Sequence, residues 1–376
     1  MEFKVNSKEL EKLLGKIIPA VPTRTPMPIL ENFLFEVKDG LLTIYATDLE
    51  ISLKSSLSIA TEDNVKVVVP ARLLNDVVRS FSDTTIHFKL SSNKKINLIT
   101  DTGKYVINYL DSDEFPDIPT VTEDKNIKEI NEAVINGVEL RKAFEKTAFA
   151  MSKEEMRPAM MGTLFEFTDD GLRIVTTDGH RLVNMLKKSI KASINQQYVI
   201  PERAVSVLLK ILDEKDVKIY LTKSYISFKL NDIELITRLI AQKYPDYNSV
   251  IPLENEFLLK INTKEIHNAI KRMMLFSTST TRRVKFSIRK ESLEISAEDL
   301  DTGSSGEEKV VCEYTGEDLE IGFNSAYVND VLNHMIDNEE IIFKLHSSTK
   351  AVIIEPVEKK ENLELMMLLM PVRLNT

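Results

Sequence analysis

Leu10, Leu13, Leu14 and Ile17 recur at three- and four-residue spacing, the stripe that one buried face of a helix requires. Lys8, Lys12 and Lys16 fall every fourth residue on another face of the same helix. Further along, Ile86, Phe88 and Leu90 alternate with His87, Lys89 and Ser91, the two-residue period of a half-buried antiparallel strand. A polar turn at Ser92 to Lys95 leads on to Ile96 and Leu98, so this segment predicts a hairpin. Equivalent hairpins are predicted from Val217 to Leu230 and from Ile342 to Ile354.

The first helix opens on Val5-Asn6-Ser7-Lys8-Glu9-Leu10. Nearly the same phrase returns as Ile135-Asn136-Gly137-Val138-Glu139-Leu140 and as Ile261-Asn262-Thr263-Lys264-Glu265-Ile266, 130 and then 126 residues later. That period is too long for a solenoid repeat and matches an autonomous domain. Other landmarks keep the same order. Val68-Val69-Pro70-Ala71-Arg72 returns as Val199-Ile200-Pro201-Glu202-Arg203 and, more weakly, as Ile321-Gly322-Phe323-Asn324-Ser325. Strands ending in an acid recur at Leu42 to Asp48, Leu172 to Asp178 and Leu293 to Asp299. A proline-rich exit follows as Glu114-Phe115-Pro116-Asp117 and Lys243-Tyr244-Pro245-Asp246, and the third copy has the chain's last residues in its place. The chain therefore divides into three copies, residues 1–125, 126–253 and 254–376. Each is expected to hold two helices and roughly eight strands, an α+β domain that is itself a doubled βαβββ unit.

A chain of 376 residues with 43% hydrophobic and 28% charged positions is an ordinary globular composition. It contains no apolar run of membrane-spanning length, and Met1-Glu2-Phe3-Lys4 lacks the character of a signal peptide. A cytoplasmic protein without a membrane partner is expected. The single cysteine, Cys312, can form no intramolecular disulfide and is expected to pack on a strand. A net charge of −9 argues against a generally basic nucleic-acid-binding surface. Cations nevertheless recur at matching helix positions: Lys12 over Lys142, Lys16 over Lys146 and Arg272, Lys8 over Lys264, Arg72 over Arg203, and Arg79 over Lys210. The third copy offers only Ala326 and Asn333 in its second helix. Such positions suit either ordinary solvated helix faces or a basic surface with an anionic partner.

Catalytic patterns are scarce. His87, His180, His267, His334 and His346 show no metal-ligand spacing, and no phosphate-binding glycine motif occurs. Gly303-Ser304-Ser305-Gly306-Glu307-Glu308 reads as a flexible turn. Thr177-Asp178-Gly179-His180-Arg181-Leu182 gathers an acid, a base and a cation. It admits a hydrolase centred on Asp178, His180 and Arg181, a simple turn at Gly179, or a binding groove unique to the middle copy. A monomeric scaffold that binds protein motifs without DNA is a further reading.

Several phrases together resemble one family over the whole chain. They are Pro28-Ile29-Leu30-Glu31-Asn32 after Arg24, the Thr177 to Leu182 phrase, Tyr244-Pro245-Asp246-Tyr247, Ile321-Gly322-Phe323-Asn324 with Tyr327, and Met370-Pro371-Val372-Arg373-Leu374. The family is the bacterial sliding clamp, the β subunit of DNA polymerase III holoenzyme. The resemblance implies a non-catalytic processivity factor without metal or cofactor, cytoplasmic and nucleoid-associated. It implies a head-to-tail homodimer whose six domains close a ring around duplex DNA, without sequence specificity. Arg24, Lys12, Lys16, Arg72, Arg79, Lys142, Lys146, Arg203, Lys210, Lys264 and Arg272 would face that DNA. Tyr105 would lie opposite Leu275 and Phe276 at the dimer interface. The implied partners are the replicative polymerase, an ATP-dependent clamp loader, and other polymerases and repair proteins carrying short linear motifs. Their groove would use Arg157, Met160, Thr177, Gly179, His180, Arg181, Leu182, Pro245, Val250, Asn324, Tyr327, Thr349, Ala351, Met370, Pro371 and Val372. Met160, Leu182, Val250 and Met370 would form its apolar floor, with Met370 to Leu374 as a flexible apolar segment. Pro158-Ala159-Met160 stands where aromatic residues and a leucine are frequent in the family, and Asn375-Thr376 extends past its usual end.

Overall fold

The computed structural model describes residues 1–121, 129–192, 194–277, 282–299 and 301–374. The expected boundary between residues 125 and 126, and the Asn375-Thr376 extension, lie outside these. Helices α1 (Ser7–Ile17), α2 (Ala71–Arg79), α3 (Gly137–Thr147), α4 (Glu202–Ile211), α5 (Thr263–Met273) and α6 (Ser325–Met335) are each preceded by one strand and followed by three, with a further two-residue strand, Leu110–Asp111, after those of α2, so the doubled βαβββ order occurs three times among the described residues.

The repeated asparagine explains why the helices start where they do. Asn6 Oδ1 accepts the backbone N–H of Lys8 at 2.8 Å and of Glu9 at 3.2 Å. Asn136 does the same for Val138 and Glu139, and Asn262 for Lys264 and Glu265. Each side chain caps N–H groups that the first helical turn leaves without partners. The stripe Leu10, Leu13, Leu14 and Ile17 is buried as its spacing requires.

Two compact units organise the strands. The first comprises Met1–Arg141 with Arg203–Leu239. It contains a four-stranded antiparallel sheet ordered Glu2–Asn6, Thr85–Ser91, Lys95–Ile99, Lys104–Asn108. It also contains a nine-stranded sheet in which Ile233–Arg238 pairs with Ile51–Ser58, setting Thr237 opposite Ile51. The second unit comprises Lys142–Glu202 with Ile240–Thr376. Its twelve-stranded sheet runs through the pairing of Arg181–Lys187 with Leu363–Leu369, in which Arg181 faces Leu369. The middle copy is thus shared out: its strands from Gly162 to Pro201 join the twelve-stranded sheet, while Asn131–Asn136 and the strands from Asp216 to Arg238 join the nine-stranded one.

One expectation is corrected here. Ser304 to Glu308 are not a flexible turn but the start of an 11-residue strand, Ser304–Tyr314, with the turn confined to 301–303. Gly306 is needed because a Cβ there would lie 2.7 Å from the Phe276 ring. Cys312 lies buried on the same strand, and burial pushes its thiol up to about 11. Among the described residues, no helix is long and apolar enough to cross a membrane.

Candidate functional site

The Thr177 to Leu182 phrase forms a tight turn between the strands Gly171–Thr177 and Arg181–Lys187. Thr177 Oγ1 donates to the Arg181 carbonyl at 2.8 Å and accepts from the Gly179 N–H at 3.1 Å. Asp178 Oδ1 accepts the N–H groups of His180 (2.9 Å) and Arg181 (3.0 Å). Gly179 sits at φ +88°, where a side chain is strained, and a Cβ there would also strike Arg157 Nη1 at 2.8 Å.

Behind the turn lies an apolar layer. Ala159, Leu164, Val175, Leu182, Val199, Tyr244, Tyr247, Ala351 and Leu368 are buried together, with Ile240, Ile251 and Met366 packed against them. Met160 and Leu182 are buried, whereas Val250 (52% exposed) and Met370 (39% exposed) stand at the surface. The expected four-residue floor is therefore two floor residues and two rim residues. Pro245, Thr349, His180 and Arg157 are also exposed, Ala351 is buried, and Asn324, Tyr327, Pro371 and Val372 are half-buried. The Asn324 side chain caps α6 by accepting the Ala326 N–H at 3.0 Å.

Met370 to Val372, expected to belong to a flexible segment, are tied down by backbone hydrogen bonds. Met370 N–H donates to the His180 carbonyl at 2.8 Å, and Val372 N–H donates to the Gly322 carbonyl at 2.8 Å. Those two bonds bring the 177–182 turn, the tail and the Ile321-Gly322 strand into one surface.

Arg181 anchors the arrangement. Its Nε donates to Asp178 Oδ2 at 3.0 Å, Nη2 to the Phe149 carbonyl at 2.9 Å, and Nη1 to Asp330 on α6. The guanidinium lies 4.6 Å from the Tyr327 ring centre and 5.2 Å from that of Phe149. His180 stacks on the other partner ring, Tyr327, with centroids 5.9 Å apart. The acid and cation of the tempting catalytic trio are consequently occupied by the turn and by α6. The constellation does the work of positioning the turn against α6. Among the described residues, no group of three or more His, Cys, Asp or Glu side chains could hold a metal.

Sequence reasoning did not single out Tyr244 and Tyr247 as part of the layer. Burial raises the Tyr244 phenol strongly, and Tyr247, pushed up to about 12 chiefly by burial, donates to Glu166 Oε2 at 2.6 Å. Their place in the proline-rich exit was the available signal.

The cationic helix positions divide into two groups. Lys16 pairs with Asp232 at 3.1 Å, Lys146 with Asp337, Arg203 with Asp48 at 2.8 Å, and Arg272 with Glu308. Arg72 donates to the carbonyls of Val21 and Pro22. Lys12, Arg24, Arg79, Lys142, Lys210 and Lys264 are exposed. At the expected dimer contact, Leu275 is 81% and Tyr105 40% exposed.

Comparison with known proteins adds a family context. The family models for DNA polymerase III beta subunit match residues 1–119 with the N-terminal domain, 134–246 with the central domain and 248–373 with the C-terminal domain. A beta sliding clamp from Buchnera aphidicola is 30% identical, covering 98% of this chain and 100% of that protein. One from Vibrio cholerae is 28% identical and covers 100% of both. The solved structure of a DnaN sliding clamp from Bartonella birtlesii, bound to griselimycin, matches with a TM-score of 0.92 at 29% identity over 100% of both chains. A Bacillus subtilis sliding clamp matches at 0.91 and 26% identity, again over 100% of both.

Proposed function

The chain belongs to the DNA polymerase III beta-subunit family of sliding clamps, non-catalytic processivity factors, and from that premise we propose that two copies close head-to-tail into a six-domain ring around duplex DNA. The three domains would be residues 1–125, 126–253 and 254–376. The observation that carries this reading is the way each copy is completed by the next. Ile233–Arg238 adds to a first-copy strand and Leu363–Leu369 to a second-copy strand. Among the described residues, Lys104–Asn108 of the first copy has a strand on one side only, and so does the stretch 304–311 of the third. Unpaired edges of this kind invite pairing with another chain, and a two-fold operation would cover both sets at once.

A ring separates retention from affinity. Direct phosphate contacts strong enough to hold DNA by themselves would resist sliding, whereas a closed ring needs only weak, sequence-independent attraction. Lys12, Arg24, Arg79, Lys142, Lys210 and Lys264, exposed in an acidic chain, suit that role. The groove at 177–182 and 370–372 would then receive short linear motifs of the replicative polymerase, the ATP-dependent clamp loader, and other polymerases and repair proteins. Methionine at its lip and base adapts to several partners, and a small interface of this type binds at about micromolar strength. The protein would act in the cytoplasm, on the nucleoid.

The test is retention on circular DNA. Placed on nicked circles by an ATP-driven loader, the protein should survive a high-salt wash and leave when the circle is linearised, since topology holds it. Release from intact circles by salt alone would indicate an ordinary electrostatic binder and refute the ring.

A further inference from the structure

Three aspartates at matching positions perform the same local task. Asp48 Oδ1 accepts the N–H groups of Glu50 (3.1 Å) and Ile51 (2.9 Å). Asp178 Oδ1 accepts those of His180 and Arg181, and Asp299 Oδ1 those of Asp301 (2.9 Å) and Thr302 (3.4 Å). Each commits one carboxylate oxygen to its turn and retains a second.

The second oxygen is where the copies differ. Asp48 Oδ2 receives the Nε–H of Arg203 at 2.8 Å, and Nη2 of that arginine donates to the Pro19 carbonyl at 2.7 Å. Arg203 stands in the first turn of α4, so the second copy supplies a cation to the first. In α6 its counterpart is Ala326, and the cation on Asp178 Oδ2 comes instead from Arg181, which reaches on to Asp330. Asp299 is half-buried and has no ion-pair partner among the described residues. The counterpart of Arg203 in the first copy is Arg72, which is exposed and donates to the carbonyls of Val21 (3.4 Å) and Pro22 (3.2 Å), with no ion pair among the described residues.

Strand register leads to the same place. Ile96 faces Ile107 as Ile226 faces Thr237, and Glu298 faces Ser305 as Thr47 faces Ser52. These equivalences map Ile233–Arg238 onto the Lys104–Asn108 strand, and Ile51–Ser58 onto the start of Ser304–Tyr314. In the pairing that exists, Leu235 faces Leu53 and Glu234 faces Lys54, with Lys54 Nζ 3.0 Å from the Glu234 carboxylate. The same register between chains sets Tyr105 opposite Gly306, over which Phe276 lies, and Lys104 opposite Glu307 with the charges exchanged.

We propose that Asp299 of one chain and Arg72 of a second copy complete the series, an ion pair that latches the head-to-tail junction in the register that sets Lys104 against Glu307. The latch rests on the head-to-tail reading given above, and two-fold symmetry places it at both junctions of the dimer.

Sedimentation equilibrium on the full chain tests it by charge exchange. Arg72→Asp and Asp299→Arg should each raise the dimer dissociation constant roughly 10- to 100-fold, because one substitution damages both junctions. The double variant should return to within a few-fold of wild type. That recovery excludes misfolding as the cause of the single-variant losses. Lys104→Glu, rescued by Glu307→Lys, would fix the register independently. Single variants that dimerise like wild type, or a double variant no tighter than the singles, would overturn the latch while leaving the head-to-tail dimer standing. A wild-type chain that stays monomeric would overturn both.

Discussion

Replacing Arg181 with alanine should destabilise the second unit measurably. The side chain is only 11% exposed, and Asp178 beside it only 13%. The substitution removes a charged hydrogen bond to Asp178 and one to the Phe149 carbonyl, and it lifts the guanidinium from the Tyr327 and Phe149 rings. Asp330, 38% exposed, rehydrates and adds little. A bond to a charged group contributes about 1.5–3 kcal/mol, and removing one member of a largely buried pair costs about 3–5 kcal/mol. Asp178 keeps two backbone N–H donors, which places the expected loss at the lower end, about 3 kcal/mol. For a unit of this size that is a fall in melting temperature of about 6–12 °C. Scanning calorimetry and urea titration would measure it, with Arg181→Lys as a control that keeps the charge but loses the planar fork and should recover little. A loss below about 1 kcal/mol, with peptide binding unchanged, would refute the positioning role.

Two other outcomes are expected. Deleting residues 370–376, or changing Met370 and Pro371 to alanine, removes the segment tied to His180 and should abolish binding of a fluorescent polymerase-derived peptide while dimerisation persists; anisotropy that still titrates would place the groove elsewhere. Burial holds His334 and His267 below the ordinary 6.5, against the Asp330 carbonyl in one case and two asparagines of α6 in the other. Both favour the neutral form when folded, so their stability contribution is complete above about pH 6.5 and is lost as pH falls below it; a urea midpoint that does not decline from pH 7 to 5, or a His334→Gln variant that declines as steeply, would contradict this.

Much of the architecture was legible because it is local. The apolar stripe of α1, the alternation at Ile86 to Leu90 and the recurrent asparagine depend on neighbours a few residues away, and the caps at Asn6, Asn136 and Asn262 account for the recurring phrase. What periodicity could not reveal is the partition of the middle copy between two sheets. That choice is made by edge strands more than a hundred residues apart, such as Ile51–Ser58 and Ile233–Arg238, and no local pattern records it. Gly306 misled for a related reason, since a glycine that admits the Phe276 ring into a strand resembles one that frees a turn. The cations at Lys16, Lys146, Arg203 and Arg272 were visible, but the acids opposite them were not, because each partner arrives from a distant segment.

The proposed groove follows from the same logic. All three copies carry the aspartate, and in the first copy its spare oxygen is neutralised by a cation from the following copy. Where the third copy carries Ala326 in place of Arg203, the largely buried Asp178 carboxylate takes its cation from a segment other than α6. Arg181 resolves this from within the turn, and in doing so brings His180 and Tyr327 into contact and sets the His180 carbonyl where Met370 can bind it. The position at Ala326 that Arg203 fills in the first junction is thereby freed of a large side chain. The equivalent position at Asp48 is filled by Arg203, whereas here the surface over the apolar layer is left open, which favours the proposed peptide groove at this junction over the one at Asp48.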